Sequence, residues 1–192
     1  MNQELLRAYS MANLPNEAGL WVFQVRRVLE GKMTNLLFDE FFRQTADIQL
    51  DGPYGLAHLQ EQPRPIICIA GGSGLAPMLA IARGVAVNPM LKDHKVWFFH
   101  GGREQRDLLT ESIIREWTAL GTRLNYIAAT SSEQIEGIRS GFIHDVIQGV
   151  LGDQLMQHEI YCAGPPVMVQ SIEQMAHQAG IPQQQVHFDR FF

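Results

Sequence analysis

The stretch Ile66–Pro77, IICIAGGSGLAP, decides the fold of this chain. A short apolar run is followed by three glycines and then by a helical pattern, which predicts a buried strand, a tight turn and a helix. Such a turn directs backbone N–H groups and the positive end of the helix toward one edge of a parallel sheet. Glycine there lets a diphosphate approach the main chain. The spacing is not G-x-G-x-x-G, so glycines that merely pack the helix against its strand remain an alternative.

The chain after this stretch alternates apolar strands with amphipathic helices, which is typical of a doubly wound parallel sheet. We therefore predict an α/β fold with five parallel strands. The predicted strands are Ile66–Ala70, Val96–His100, Leu124–Ala128, Glu159–Ala163 and Val186–Phe188. The predicted helices are Ala76–Val87, Arg106–Leu120, Ile143–Val150 and Val167–Ala179.

The chain before this stretch has a different pattern. Aromatic and branched residues predict two antiparallel strands, and a third short strand precedes a Gly-Pro-Tyr-Gly turn. These strands are Leu5–Met11, Trp21–Val28 and Asp47–Leu50, and Thr34 is the predicted N-cap of a helix over TNLLFDEFF. The prolines around Gln60 to Arg64 mark a domain boundary, so we expect one domain over residues 1–61 and a second over 62–192.

Composition excludes several functional classes. The 192 residues have a formal net charge of −5, which argues against binding to nucleic acid. The two cysteines, Cys68 and Cys162, lie in apolar runs, and the seven histidines show no ligand spacing, so neither a disulfide framework nor a metal site is predicted. Residues 1–10 lack the apolar core of a signal peptide, and we expect a cytoplasmic protein.

A second turn of the nucleotide-binding kind occurs at Gly164-Pro165-Pro166, again between a strand and a helix. Ligands of open parallel sheets lie beyond the carboxyl ends of the strands, so the two turns together predict one nucleotide across them. A third turn, Gly101-Gly102-Arg103, adds a cation suited to a ribose or adenine phosphate. Arg103 fits equally well as a solvated loop residue, and both interpretations stay open.

These motifs, taken in order, resemble a known family. They are Arg7-Ala8-Tyr9-Ser10, Gly31-x-x-Thr34, Gly52-Pro53-Tyr54-Gly55, Ala70 to Pro77, Gly102-Arg103 and Tyr161-x-x-Gly164-Pro165-Pro166-x-Met168. The order is similar to that of ferredoxin–NADP reductase-like flavoproteins. The nearest resemblance is to NADH-dependent reductase components of bacterial aromatic-ring dioxygenases and toluene- or phenol-type monooxygenases.

The resemblance implies FAD in the first domain, held within a β-barrel. Arg7 would neutralise a flavin phosphate, Tyr9 would stack on the isoalloxazine and Ser10 would hydrogen-bond near flavin N5, so Tyr9 and Ser10 are the catalytic candidates. Gly31 and Thr34 would cradle the diphosphate, and Phe191 would lie close to the flavin. A core tyrosine at position 9, simple N-capping by Thr34 and a hydrophobic tail at Phe191 are the alternatives.

The second domain would bind NAD(P)H, by the same resemblance, through Gly72, Ser73, Gly74, Pro77, Arg103, Gly164, Pro165 and Met168. A hydride would pass from NADH to FAD, and single electrons would then reach an iron–sulfur partner of an oxygenase that hydroxylates rings or hydrocarbons. NADPH remains open because Arg106 can reach a 2′-phosphate. No iron–sulfur cluster is expected in this chain, because no C-x4-C-x2-C motif is present.

Two departures from the family pattern matter. Many relatives have Cys directly before Gly-Pro-Pro, where this chain has Ala163, and strand alternation should turn Cys162 to the opposite face. The resemblance also implies that the Arg-x-Tyr-Ser strand lies midway through a barrel, whereas here it begins at residue 7. We expect that a missing N-terminal segment, another chain or a second copy completes the barrel. The alternative is a truncated, non-catalytic nucleotide-binding or assembly module that does not hold FAD.

Overall fold

A parallel sheet forms the centre of the protein. The computed structural model describes residues 5–54, 57–62, 64–109, 114–115 and 124–190. Within these ranges the sheet has six strands: β1 (Ile66–Gly71), β2 (Val96–Gly102), β3 (Leu124–Thr130), β4 (Arg139–Ser140), β5 (Glu159–Gly164) and β6 (Val186–Arg190). The strand order is β4-β3-β2-β1-β5-β6, and every pairing is parallel. The predicted doubly wound sheet is confirmed.

The strand count was predicted as five, and the sixth strand is β4. This strand has only two residues, both exposed, and it pairs with the end of β3. A two-residue exposed strand carries no apolar run, so the pattern that identified the other strands could not identify this one. The order of the sheet reverses at β1, which creates a crevice beyond the carboxyl ends of β1 and β5.

The two predicted strands at the start of the chain are mostly absent as regular structure. Antiparallel pairing occurs at one isolated bridge between Met11 and Phe23, and the N–H group of Ala12 donates to the carbonyl of Val22 at 2.8 Å. Asn13 explains the short pairing, because its side chain binds the main chain of Leu20 and Val22 at 2.9 and 2.8 Å. Asparagine side chains thereby replace ladder hydrogen bonds. The predicted strand over residues 47–50 is also absent.

The helix predicted after Thr34 is two short helices, α1 (Lys32–Leu37) and α2 (Glu40–Thr45). Gly31 is the N-cap of α1, so the assignment of Thr34 as the N-cap is wrong. Asp39 interrupts the helical run, because its carboxylate accepts the N–H group of Phe42 at 2.8 Å and caps α2 instead.

Three longer helices cover the sheet: α3 (Leu75–Val87), α4 (Ile143–Leu151) and α5 (Pro166–Gln178). Their predicted bounds are confirmed to within one residue at each end. On one face of the sheet Ile67 and Ile69 pack with residues of α4 and α5, and on the other Ile66 and Cys68 pack with residues of α3. Strands covered on both faces are apolar at every position, which is why β1 was recognisable in the sequence.

The helix predicted to begin at Arg106 does not begin there. Gln105–Asp107 is a single 3₁₀ turn, and Leu108 is extended with φ −91° and ψ 162°. The side chain of Asp107 causes this turn, because it accepts the N–H groups of Arg103 and Glu104. Most of the remaining predicted helix lies outside the described residues. Among the helices that the structure describes, none is long and apolar enough to cross a lipid bilayer.

Candidate functional site

The two glycine turns predicted to share a nucleotide are in direct contact. A Cβ atom at Gly74 would overlap the carbonyl group of Ala163 and would lie 2.7 Å from the nitrogen of Gly164. Gly74 has φ −63°, which any residue adopts, so the close approach of the second turn is what requires glycine here. The turn between β1 and α3 and the turn between β5 and α5 therefore form one continuous surface.

Met168 lies across both turns. A Cβ atom at Gly71 would be 2.5 Å from its sulfur, and one at Gly164 would be 2.5 Å from its terminal methyl carbon. Pro165 also borders Gly71, at 3.2 Å from the same Cβ position. Gly164, Pro165 and Met168, which are predicted to bind NAD(P)H, thus meet the turn that follows β1.

The open part of this surface is at Gly72 and Ser73. Gly72 has φ +55°, and no atom lies within 4 Å of the position that a Cβ would occupy. Ser73 is exposed, and both residues precede the 13-residue helix α3. The N–H groups of a first helical turn attract anions. Pro77 is buried in that turn, where a missing N–H group does not weaken the helix.

The segment predicted to contact flavin reaches the same edge of the sheet. The hydroxyl of Ser10 donates to Oδ2 of Asp189 at 3.0 Å, although 179 positions separate the two residues. Asp189 belongs to β6 and pairs with Ala163, one residue before the Gly164 turn. Asp189 is not among the residues predicted from the sequence. A carboxylate inside an otherwise apolar terminal strand was the signal that could have identified it.

Tyr9 and Arg7, two other residues predicted to hold the flavin, precede Ser10 in the chain. Tyr9 is half-buried, and burial raises its pKa while the cation of Arg7 acts in the opposite direction. The guanidinium of Arg7 is exposed and donates to the carbonyl of Leu6 at 2.6 Å. A planar side chain beside an exposed cation suits an aromatic ligand that carries phosphate. Phe191, also assigned to the flavin, lies outside the described residues.

Gly31 and Thr34 lie together at the start of α1. The hydroxyl of Thr34 accepts the N–H group of Val28 at 3.1 Å, and carbonyls of Val28 and Gly31 lie 3.1 and 3.2 Å away. A Cβ atom at Gly31 would be 2.6 Å from this hydroxyl oxygen, so glycine is required for the contact. The hydroxyl is engaged by its own loop, and it would have to leave these partners to bind a diphosphate.

A third part of the edge is the loop after β2. Burial raises the pKa of Asp107, but the N–H groups of Arg103 and Glu104 and the cations of Arg26 and Arg106 outweigh it and lower the pKa overall. Asp107 accepts those N–H groups at 3.0 and 3.3 Å and pairs with Arg26 at 3.3 Å. The guanidinium of Arg103 is exposed and has no ion-pair partner among the described residues.

An open pocket of about 420 Å³ lies beside this loop. Glu104, Gln105, Arg106 and Glu133 line it. Arg106 Nε lies 2.9 Å from Oε2 of Glu104, and Glu133 accepts the N–H group of Gln105 at 2.8 Å. Neither carboxylate is among the residues predicted from the sequence, because Glu133 follows β3 and comes to the β2 loop only through the parallel pairing of the two strands.

The cysteines are separate from these turns. Cys68 packs on the α3 face of the sheet and Cys162 on the opposite face with α4 and α5, as strand alternation predicted. Both are fully buried, and burial raises the pKa of each thiol. Within the described ranges there is no group of three or more His, Cys, Asp or Glu residues that could hold a metal ion.

Comparison with known proteins identifies the family of this chain. The family model described as "Oxidoreductase NAD-binding domain" matches residues 68–174, which is more than half of the chain. The chain belongs to this oxidoreductase family. The model described as "Oxidoreductase FAD-binding domain" matches residues 1–59 of this family member.

Relatives of this family member include ferredoxin–NAD(P)+ reductase CarAd of Metapseudomonas resinovorans, which is 35% identical over 98% of this chain and 56% of its own length. The reductase component of the naphthalene 1,2-dioxygenase system of Pseudomonas putida is 34% identical over 98% of this chain and 57% of its own length. The solved ferredoxin reductase in carbazole 1,9a-dioxygenase superposes with a TM-score of 0.80 at 33% identity, covering 98% of this chain and 56% of that one. The chain therefore spans about half the length of the relatives it matches.

Proposed function

We propose that this chain is part of an NADH-dependent flavin reductase that delivers electrons to an iron–sulfur protein. The observation that carries the proposal is the hydrogen bond between Ser10 and Asp189. It brings the segment matched by the FAD-binding model to β6, which pairs with β5, and the Gly164 turn at the end of β5 lies in the region matched by the NAD-binding model. Hydride transfer requires the donor and acceptor rings to lie against each other, so a common edge for the two regions suits this reaction.

The nucleotide would be held at the edge formed by the two glycine turns. Gly72 leaves space over the first turn of α3, and Ser73 offers an exposed hydroxyl beside it. Met168 and Gly164 would form the wall on the nicotinamide side. These residues would bind and orient the nucleotide, because hydride transfer depends on positioning and not on acid–base catalysis.

The flavin would be held by Arg7, Tyr9 and Ser10. Bound FAD supplies the capacity to take up a hydride and to release electrons singly. Tyr9 would give the ring a flat surface, and Arg7 would neutralise phosphate. Ser10 donates its hydroxyl proton to Asp189 at 3.0 Å, and it would therefore present its oxygen to the flavin as a hydrogen-bond acceptor.

We further propose that the coenzyme is NADH and not NADPH. Two carboxylates, Glu104 and Glu133, line the pocket beside the β2 loop, and the cation of Arg106 is already paired with Glu104. A 2′-hydroxyl can donate to a carboxylate, whereas a 2′-phosphate would be repelled. Comparison of kcat/KM for the two coenzymes tests this, and we expect NADH to be favoured. In Glu133→Gln the preference should shrink by about tenfold, whereas a wild-type preference for NADPH would refute the assignment.

The partners follow from the relatives' names. Those relatives serve carbazole and naphthalene dioxygenase systems, so we propose an oxygenase that hydroxylates rings or hydrocarbons, reached through an iron–sulfur protein. A cytoplasmic location stays a prediction from the sequence.

A second candidate function is supported by the exposed surface of residues 5–54. Leu29, Phe41 and Tyr54 are 87%, 75% and 80% exposed, and Ala12 is the buried residue of this region. An apolar surface of this kind usually has a partner. A missing N-terminal segment or a second copy would cover it in the reductase. Without such a partner, the chain would be a nucleotide-binding or assembly module that does not retain FAD.

The visible absorption spectrum of the purified chain distinguishes these functions. The chain is incubated with FAD, freed of unbound flavin and then mixed with NADH. We expect a flavin band that bleaches on addition of NADH. Binding of NADH without retained flavin would favour the module, and failure to bind NADH would refute both proposals.

A charge placed in the nucleotide turn provides a sharper test. Ser73→Asp adds a negative charge before α3, where it should favour the helix but repel a diphosphate. We expect NADH affinity to fall by about tenfold or more, without loss of stability. Gln148→Asp is the control, because it adds the same charge at an exposed position of α4. Equal NADH affinity in both variants would contradict the assignment of this turn.

A further inference from the structure

A buried polar cluster joins β5 and β6 to the segment that precedes β1. This segment contains Gln60, Arg64 and Pro65, and we call it the entering segment. Glu159 is 2% exposed, and each of its two carboxylate oxygens has a hydrogen-bonding partner. Arg64 Nη1 lies 3.1 Å from Oε2, and His187 Nε2 lies 2.7 Å from Oε1. An ionised carboxylate can only accept hydrogen bonds, so both partners donate. We call Arg64, Glu159 and His187 the carboxylate cluster.

Tyr161 extends this cluster to the other end of the entering segment. Its ring stacks on the His187 ring with centroids 4.7 Å apart and an interplanar angle of 22°. Its hydroxyl accepts the N–H group of Gln60 at 2.8 Å. The N–H group of Glu159 donates to the carbonyl of Pro65 at 2.9 Å. Gln60, Arg64 and Pro65, which lie between the flavin-matched region and the sheet, are therefore tied to β5 by both main-chain and side-chain bonds.

The same cluster is connected to Ser10 through β6. His187 and Asp189 are two residues apart in this strand, so their side chains lie on the same face of the sheet. The register agrees, because His187 pairs with Tyr161 and Asp189 pairs with Ala163. In the described part of the chain β6 lies at the edge of the sheet, where it pairs with β5 on one side, so side chains that join it to its surroundings add to that pairing.

We propose that Glu159 and His187 are positioning residues for Ser10: they hold β6 and the entering segment together, and so fix Asp189 where it accepts the Ser10 hydroxyl. The part of this inference that concerns the rate of flavin reduction rests on the proposed function. Apolar residues in place of Glu159 and His187 would fill the same space, but they would not tie Arg64 to β5. A carboxylate buried with partners from both sides is expected where the relative position of two segments has to be specified.

The first test uses hydrogen exchange of the chain without added cofactor. His187→Phe keeps an aromatic ring on Tyr161 and removes the donor to Glu159. We expect amide exchange over residues 8–12 to accelerate by about tenfold, while exchange in β1 stays unchanged. Ile172→Val is the control, since it deletes one buried methyl group of α5 and leaves the polar cluster intact. Acceleration that is equal over residues 8–12 and β1, or equal in both variants, would overturn the proposal.

Arg64→Met is the second variant, in case the His187 substitution prevents folding. Its side chain is 42% exposed, so the replacement removes a donor to Glu159 without opening the core. The same local acceleration over residues 8–12 is expected. Unchanged exchange there would overturn the proposal.

The second test is a double-mutant cycle on the rate of flavin reduction by NADH. His187→Phe should lower this rate by about tenfold in the wild-type background and should have no further effect when Asp189 is already alanine. A purely structural role for His187 would give additive effects, and additivity would overturn the proposal. If the wild-type chain does not reduce flavin, the proposed function fails, and the exchange experiment still decides this inference.

Discussion

Replacing Gly74 by alanine should separate the two glycine turns. The added methyl group would overlap the carbonyl of Ala163, so the turns would have to move apart by roughly 1 Å to restore van der Waals contact. Overpacking at a rigid position costs about 1 to 3 kcal/mol. Backbone cannot rotate away as a side chain can, so we expect the upper end, about 3 kcal/mol, together with weaker binding of NADH.

Urea unfolding followed by circular dichroism measures this change, and two other glycines provide matched controls. Gly149 lies in α4 with no atom within 4 Å of its Cβ position, so Gly149→Ala should raise stability by about 0.5 to 1 kcal/mol. Gly72 has equally open space but φ +55°, so alanine there should lower stability by about 1 kcal/mol through backbone strain alone. A Gly74→Ala protein within about 0.5 kcal/mol of the wild type would refute the contact between the turns.

Three further predictions concern single groups. Asp189→Asn should slow flavin reduction by about tenfold in rapid-mixing experiments with NADH affinity unchanged, because the Ser10 hydroxyl loses its charged acceptor; a matching loss of affinity would contradict this. Burial lowers the pKa of His100 from 6.5 to about 4. The contribution of this neutral side chain to the free energy of unfolding is therefore fully present above pH 6.5 and is lost as the pH falls toward 4, by about 3 kcal/mol in total. Urea unfolding at both ends of this range should show that loss in the wild type and a smaller one in His100→Gln. Cys68 and Cys162 should not react with thiol reagents until denaturant is added, because both are buried, and rapid labelling of the native protein would argue against the sheet packing.

The sequence predicted those parts of the fold in which local pattern and burial coincide. β1 is buried at all six positions, so its apolar run was visible without knowledge of its neighbours. The helices α3 to α5 were predicted to within one residue, because each alternates with such a strand. The two glycine turns were recognisable for the same reason, since each follows an apolar strand directly.

Contacts between distant positions could not be predicted in this way. The bond from Ser10 to Asp189 joins residues 179 positions apart, and nothing in either local sequence names the other. The carboxylates of the open pocket are equally remote, because Glu133 reaches Gln105 only when β2 and β3 pair. Local competition explains the other differences: asparagine side chains take main-chain bonds near Leu20, and Asp39 caps a helix where a continuous one was predicted.

The distribution of buried residues also determines how the protein should absorb heat. In residues 5–54 only Ala12 is buried, whereas the two cores lie within the sheet and its helices. A core of this kind unfolds cooperatively. The enthalpy of unfolding is proportional to the number of residues that unfold together, at about 0.7 kcal/mol for each residue. The calorimetric transition of the isolated chain should therefore correspond to the sheet region alone, roughly 90 kcal/mol, and not to the roughly 130 kcal/mol of the whole sequence. We expect the larger unfolding enthalpy only when a partner forms a hydrophobic core with the first fifty residues.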